Sequence, residues 1–325
     1  MAAPSSTGVG APASSSRGAR EDEATELPAP RVRDRAPGEP RRVAYLYLAP
    51  AFAFYLLFAF GPLAYTTWLS FFDWDGLTVG EWTGIDNYRE VLSDPAIRAS
   101  FVHAFELILF YAVLPVLLGL LLASVLAHGR VRGVTFFRAV LFLPQTVATV
   151  VVAIAWVWIY APSGPLNAAL GAIGLDGLSR GWLGDFTFAL PALGVVGTWV
   201  TFGLCLVLFL AGMQKIPETL YEAARVDGAG RVREFFAVTL PGLRGELAVA
   251  LTLATITALR TFDLIYISTS GGPGTSTTVP SVLVYQNAFV NGRVGLGAAV
   301  AVVLTALIFV VAFGITKLVD RDPSR

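Results

Sequence analysis

The sequence predicts an all-α integral membrane protein of about six transmembrane helices, with both termini on the cytoplasmic side. Three observations predict it: the composition, six apolar stretches of membrane-crossing length, and an uneven placement of lysine and arginine. Of the 325 residues, 55% are hydrophobic and 14% charged, and mean hydropathy is +0.66, where soluble domains carry about 25% charge. A hydrocarbon core roughly 30 Å thick is crossed by about 20 apolar residues in a helix. The formal net charge of zero argues against nucleic acid as a partner.

Taken in order, residues 1–42 are rich in Ala, Ser, Pro, Gly and charge and hold no apolar h-region. They are expected to be a disordered cytoplasmic tail rather than a cleavable signal peptide. Val43–Leu69 reads as the first span, followed by an outer loop reaching residue 100. The main helical core, residues 101–319, then carries Phe101–Ala127, Ala139–Tyr160, Phe188–Met213, Leu247–Ser268 and Leu296–Val319. Residues 320–325 form a short C-terminal tail. Pro115 and Pro144 fall inside spans and are expected to kink them, either for gating or for packing alone. Val279–Val290 is too short to cross as a helix and is interfacial, re-entrant or part of a longer outer loop.

Orientation follows from the basic residues. Arg17, Arg20, Arg31, Arg33, Arg35, Arg41 and Arg42 lie in the tail, and Arg130, Arg132 and Arg138 in the second-to-third loop. Lys215, Arg225, Arg231, Arg233 and Arg244 lie in the fourth-to-fifth loop, and Lys317, Arg321 and Arg325 at the C-terminus. The opposite loops hold only Arg89, Arg98, Arg180 and Arg293. The loops on the first side, and both termini, are therefore expected in the cytoplasm.

Cys205 has no second thiol, which excludes an internal disulfide and a cysteine-based metal site. His103 and His128 are too far apart to form a metal site and read as structural or interfacial. Trp82, Trp156, Trp158, Tyr160, Trp182 and Trp199 fall near span ends or in outer loops. They form either an interfacial aromatic belt or a lining for a sugar pathway, since aromatic faces stack on sugar rings. Glu106 reads as interfacial. Arg260 and Asp263, three apart on the fifth span, either neutralise one another or face a solute or gate. Trp156, Tyr160, Trp199, Arg260, Asp263 and Tyr266 are the candidate solute-pathway residues.

One polar run, Tyr221–Pro241, interrupts the apolar pattern. Pro217 suits a first helical position and Glu218 the positive end of that helix. Gly228 sits where a left-handed C′ residue belongs, and a second helix from about Gly230 to Thr239 is expected to stop at Pro241. Ile216, Leu220, Ala223 and Ala224 share a face, and Glu222 can pair with Arg225 or with a basic residue of a partner. A compact amphipathic helix of this kind suits docking into a groove.

The spacing of Glu222-Ala223-Ala224, Gly228, the aliphatic Val238 and Leu240-Pro241 closely resembles the EAA motif of the membrane subunits of binding-protein-dependent ABC importers. By chance such a match is expected on the order of once in ten thousand chains. Phe262-Asp263-Leu264-Ile265-Tyr266, Thr269 and Gly271-Gly272-Pro273 are similar to a stretch of the carbohydrate-type permeases. So are Leu143-Pro144, Gly164-Pro165-Leu166-Asn167, Asn87-Tyr88 and Asp94-Pro95. The resemblance covers Val43 to Lys317.

It implies a type I ABC importer permease fold, multi-pass in the plasma membrane of a prokaryote, carrying a carbohydrate-like solute. Glu222, Ala223, Ala224, Asp227, Gly228, Leu240 and Pro241 would couple the chain to an ATPase. The implied partners are a second permease subunit in a heterodimer, two cytosolic ABC ATPases, an extracytoplasmic solute-binding protein and the lipid bilayer. No cofactor is implied for this chain, because ATP and magnesium would be used by the ATPase. The sequence agrees: a P-loop needs a lysine after glycine, and neither Lys215 nor Lys317 follows one. An ion-coupled secondary transporter is the alternative, although repeated halves and mid-membrane charge relays are not evident. A membrane scaffold leaves the EAA spacing unexplained, and no hydrolytic or redox constellation is evident.

Overall fold

The computed structural model describes residues 41–128 and 133–319. The expectations for the tail 1–40, for Arg130 and Arg132, and for residues 320–325 lie outside the described residues. Internal contacts divide the chain into Met1–Leu56 and Leu57–Arg325. In the first unit helix α1 (Arg41–Tyr55) contains Pro50. The described residues of the second unit are mostly helical.

After a π turn at Leu56–Phe60 come α2 (Gly61–Leu69), a two-residue hairpin of β1 (Phe72–Asp73) and β2 (Glu81–Trp82), and α3 (Asp86–Ser93). Helix α4 (Pro95–Ile108) passes through a π turn, Leu109–Val113, into α5 (Leu114–His128). Next are α6 (Val134–Thr146), α7 (Thr149–Ile159), α8 (Pro165–Ala172) and the long α9 (Ala189–Met213). The polar segment holds α10 (Glu218–Val226), α11 (Arg231–Glu234), a π turn at Phe235–Thr239 and α12 (Leu240–Gly242). The chain ends with α13 (Arg244–Leu259), α14 (Asp263–Thr269), α15 (Pro280–Tyr285) with a π turn at Gln286–Val290, and α16 (Val294–Val319).

Among the described residues, five runs are long and apolar enough to cross a membrane: Tyr45–Leu69, Pro95–Leu126, Ala189–Met213, Arg244–Thr269 and Val294–Leu318. A sixth requires joining α6 and α7, whose axes bend by 96°. The expected third span Ala139–Tyr160 is therefore not one straight helix. Pro144 lies in the last turn of α6, and Val147 and Ala148 are extended. The second span starts earlier than Phe101, because the Asp94 carboxylate caps the helix by accepting from the amides of Ala96 (2.6 Å) and Ile97 (3.1 Å). The Val279–Val290 stretch is a short helix with Val279 and Val282 fully buried, packed against α4 and α16.

Prolines explain three of the four π turns among the described residues; the fourth, Gln286–Val290, has no proline after it. In an α-helix, a proline lacks the N–H that would bond the carbonyl four residues back, and its ring clashes with that carbonyl. For Pro62, Pro115 and Pro241 that carbonyl belongs to Phe58, Tyr111 and Ala237, each inside a π turn. The widened turn lets the helix continue. Leu114 and Leu240 bond five residues back, to Leu109 and Phe235. Contrary to the expected stop, Pro241 does not end its helix; the chain runs on helically to Gly242.

The five-back register also leaves the Phe110 carbonyl facing Pro115, which has no N–H. The Thr198 hydroxyl of α9 supplies the missing donor at 2.6 Å. Helix α9 is the most buried of the candidate spans. One cluster joins Val116, Leu120 and Ala123 of α5 to Cys205, Leu206 and Phe209 of α9 and to Leu243 and Ala250. A second joins Leu107, Val152, Leu193, Val196, Leu264 and Ile265. Lipid tails are as apolar as leucine, so close packing and interhelical hydrogen bonds hold such helices together. Gly203 shows the closeness: a Cβ there would overlap the Leu141 carbonyl of α6.

Several motif residues prove structural. Asn87 is buried and donates to the carbonyls of Ser70 (3.0 Å) and Phe72 (2.9 Å), which locks the hairpin. Arg293 clamps Glu90 through two bonds of 2.7 and 2.6 Å and ties α3 to the start of α16. The Glu90 carboxylate raises the Arg293 pKa above its ordinary value. Asn167 donates to the carbonyls of Pro162 and Arg180 and accepts from the Trp182 indole.

Thr198→Val, which keeps shape and removes the donor to Phe110, is expected to lower stability by about 1 kcal/mol. Reversible unfolding in mixed micelles measures it. Thr305→Val is the control, because that hydroxyl bonds the Ala301 carbonyl of its own helix.

Candidate functional site

Two features outside the close-packed core can do chemistry or mechanics. The first is a cavity of about 360 Å³ between the helix breaks. Gln145, Val147 and Thr149 line it where α6 gives way to α7, and Arg260, Thr261, Phe262 and Asp263 where α13 gives way to α14. Tyr111, Val200, Thr201, Leu204 and Thr257 complete most of the wall. Thr201 lies twelve residues from each end of α9, about 18 Å by helical rise, so the cavity sits at mid-depth of that span. Non-helical backbone at such depth is tolerated where it faces a water-filled cavity.

The breaks also place the two charges. Arg260 is the C-cap of α13 and Asp263 the first residue of α14. Each charge therefore sits at the helix end whose dipole favours it. Phe262 between them has left the helix (φ −132°, ψ −62°). The i, i+3 ion pair expected on a continuous helix is not formed: among the described residues neither Arg260 nor Asp263 has an ion pair. Both are exposed on the cavity wall instead.

The aromatic candidates divide. Tyr266 stacks on the cavity-lining Phe262, with centroids 5.1 Å apart and an interplanar angle of 13°. Trp156 contacts Tyr160 at 5.1 Å and Trp199 at 5.6 Å, a separate cluster beside the cavity. Tyr160 is buried, donates to the Ala192 carbonyl at 3.0 Å and lines a different apolar cleft. Its environment is core rather than a membrane-interface belt.

The second feature is the polar segment. Its first helix ends as the sequence predicts. Gly228 has φ +76°, its N–H bonds the Arg225 carbonyl (3.0 Å), and the Ala229 N–H bonds the Ala224 carbonyl (2.9 Å). These two bonds make a Schellman cap, with Asp227 as the C-cap residue. Two side-chain contacts then fold α10 against the second helix. The Tyr221 hydroxyl meets Thr239 Oγ1 at 3.1 Å, and Arg225 Nε donates to Glu234 Oε1 at 2.9 Å.

Arg225 is thus taken by Glu234, which removes the first of the two pairings open to Glu222. Glu222 and Ala223 are exposed, Ala224 and Leu240 half-buried, and Pro241 exposed. The apolar face is also rotated from the expected one. Ile216 and Tyr221 turn inward, while Leu220 (51% exposed), Ala223 and Val226 (88%) make an outward stripe.

The sequence reading missed Tyr221, Glu234 and the cavity hydroxyls. Tyr221 and Glu234 lie in register with the alternation of the two helices, but their contact depends on the Gly228 bend. Thr201, Thr257 and Thr261 blend into apolar runs, because a threonine hydroxyl can bond its own helix. Gln145, a primary amide inside an apolar span, was the one legible signal.

Residues 115–325 match the family model described as binding-protein-dependent transport system inner membrane component. The probable ABC transporter permease protein YurN of Bacillus subtilis is 38% identical over 269 residues, 81% of this chain and 90% of its own. The permease protein MalF of a trehalose/maltose transport system of Thermococcus litoralis is 36% identical over 272 residues, 82% of this chain and 90% of its own. A chain from the crystal structure of a bacterial alginate ABC transporter, in complex with an alginate pentasaccharide-bound periplasmic protein, superposes with a TM-score of 0.73. It is 22% identical and covers 86% of this chain and 94% of its own.

Arg225→Ala leaves the Glu234 carboxylate, whose side chain is 7% exposed, buried without its partner. Arg225 itself is half exposed, so the expected loss is about 1–2 kcal/mol of local stability. Hydrogen exchange of the α10 amides should accelerate accordingly. Replacing both residues by methionine should restore much of the protection.

Proposed function

This chain belongs to the family of binding-protein-dependent transport system inner membrane components, and from that premise we propose how it works. It is the transmembrane permease subunit of an ABC importer and forms the translocation pathway for a carbohydrate-like solute. The observation that carries the mechanism is the bent helix pair α10–α11, which holds Glu222 and the Leu220–Ala223–Val226 stripe outward. An ion-coupled secondary transporter finds no support, since the relatives that match over most of their length are named ABC permeases.

In this reading the chain lies in the plasma membrane of a prokaryote, with both termini and the α10–α12 loop in the cytoplasm. Lysine and arginine placement supports that orientation. Two cytosolic ATPases use ATP and magnesium and dock on Glu222, Ala223 and Ala224 in this chain and on the equivalent loop of a second permease. Asp227 and Gly228 set the bend, while Leu240 and Pro241 join the loop to α13. Tyr221–Thr239 and Arg225–Glu234 make the pair a stiff lever, so movement of the ATPases reaches α13 and its break at Arg260. An extracytoplasmic binding protein delivers the solute.

The cavity offers hydroxyls, an amide, a guanidinium and a carboxylate around apolar walls, a donor and acceptor set suited to sugar hydroxyls. Carbohydrate as the solute class is supported by the trehalose/maltose and alginate systems named among the similar proteins. Arg260 and Asp263 serve as solute contacts, with Tyr266 and the Trp156, Tyr160 and Trp199 cluster bordering the path.

Glu222→Lys should leave the protein inserted, with stability changed by less than about 0.5 kcal/mol because the side chain is exposed. Gly228→Pro should distort the bend. Both should abolish transport and transport-linked ATP hydrolysis in proteoliposomes containing the complete transporter. Full activity in both variants would refute the assignment of this loop.

A further inference from the structure

Arg89, Arg98, Arg180 and Arg293 lie at the ends of the spans remote from the α10–α12 segment, and they divide two and two. Arg89 pairs with Asp86 at 2.7 Å and Arg293 with Glu90 at 2.6 Å. Arg180 and Arg98 have no ion pair among the described residues, and each stands at an apolar cleft. The Arg180 guanidinium lies 4.1 Å from the centroid of the Phe188 ring and 5.3 Å from that of Trp182, and its Nε donates to the Leu178 carbonyl at 3.1 Å. Its two terminal nitrogens have no hydrogen-bond partner among the described residues. Trp182 and Phe188 also wall a cleft of about 230 Å³ with Leu166, Pro191, Ala192 and Val195. The polar atoms on that wall are taken, since the Tyr160 hydroxyl bonds the Ala192 carbonyl and the Trp182 indole bonds Asn167. Asp185 is held by the amides of Thr187 and Phe188. The arrangement recurs at Arg98, exposed on the first turn of α4. It lines a cleft of about 270 Å³ with Leu92, Phe101, Phe105, Val303 and Leu307, while Asp94 is occupied in capping α4.

Both clefts fall at one depth. Pro191 and Val195 precede Thr201, the midpoint of α9, by about 15 and 9 Å of helical rise, and half of the hydrocarbon core is about 15 Å thick. The Thr198 bond to the Phe110 carbonyl levels α4 with α9, which puts Phe105 about 12 Å and Arg98 about 22 Å from the same midpoint. The clefts are therefore in the hydrocarbon and the guanidinium groups at the headgroups. We propose that each cleft seats part of an acyl chain of an anionic phospholipid, with the lipid phosphate on Arg180 at one and on Arg98 at the other. A guanidinium meets a phosphate with paired N–H bonds, and a wall without a free polar group suits a hydrocarbon chain and refuses a sugar. A soluble anion has no chain to place in the cleft, so the pairing of charge with apolar groove selects lipid. Neither cleft shares a residue with the cavity between the helix breaks, so these sites are separate from the solute path. Lipid seated in them bridges α8 to α9 at one, and α3, α4 and α16 at the other.

The test uses the assembled transporter in phosphatidylcholine nanodiscs doped with phosphatidylglycerol that carries a photoreactive diazirine on one acyl chain. Phosphatidylcholine with the same chain is the comparison. After irradiation, peptide mass spectrometry reads the label on residues 182–195, on residues 98–105 and, as a bulk-lipid reference, on the exposed Phe309, Val310 and Phe313 of α16. The phosphatidylglycerol probe is expected to label both cleft peptides about fivefold more than the phosphatidylcholine probe and the reference equally. Arg180→Gln should remove the excess at 182–195 and keep that at 98–105, and Arg98→Gln the reverse, so each cleft reports on the folding of the other variant. Arg180→Lys should keep most of the excess, because an ammonium still meets a phosphate. Val195→Trp, which fills the first cleft and keeps Arg180, should remove the label there. Equal labelling by the two probes overturns the proposal, as does label at the clefts no higher than at the reference, or an excess that survives the glutamine variants. Label that appears only after the partner permease is removed also overturns it and assigns the clefts to a subunit interface.

Discussion

A backbone carbonyl or amide left without a partner in hydrocarbon costs several kcal/mol, and the architecture of this chain follows from that constraint. At Pro115 another group takes up the stranded bond, and at two helix breaks the backbone faces a cavity. Pro115 forces a π turn, and a hydroxyl from α9 reaches across to the stranded Phe110 carbonyl. At Val147–Ala148 and at Arg260–Phe262 the helices break outright, and both breaks open onto one cavity at mid-depth of α9. Both breaks therefore face a cavity rather than close-packed side chains.

The same logic explains why a polar segment persists between two apolar spans. Its two short helices are too small to be stable alone. They are held by a Schellman cap at Gly228, a hydroxyl pair and an ion pair with one buried carboxylate. Tyr221, Thr239 and the Glu234 carboxylate are buried, while Glu222, Leu220, Ala223 and Val226 stay exposed. In the proposed mechanism the segment acts as a rigid handle. The π turn and α12 carry the helix past Pro241 to Gly242, directly before α13, so in that mechanism force applied at α10 is delivered to the helix capped by Arg260.

Much of this was legible in the sequence, for identifiable reasons. The spans follow from apolar length, which hydrocarbon thickness dictates, and the Gly228 bend from a residue that tolerates positive φ. What stayed hidden depends on distant partners. Pro241 reads as a stop unless the π turn before it is known. Arg225 has an acidic neighbour at i−3 and another at i+9, and only the folded bend chooses Glu234. Arg260 and Asp263 have pairing distance on an ideal helix, and their separation by a break was foreshadowed by no glycine or proline. The 96° bend after Pro144 was legible as a kink, though not as a break.

The central claim is that the cavity between the two helix breaks is the pathway and changes sides as the cytoplasmic loop moves. Thr257 is exposed on that cavity wall, while Cys205, the chain's single cysteine, is buried. A Thr257→Cys thiol therefore reports with little background. In the assembled transporter it should react with a membrane-impermeant maleimide from the cytoplasmic side without nucleotide, and from the opposite side when the ATPases are trapped with ATP. Labelling from the same side in both states, or from neither, would contradict the account.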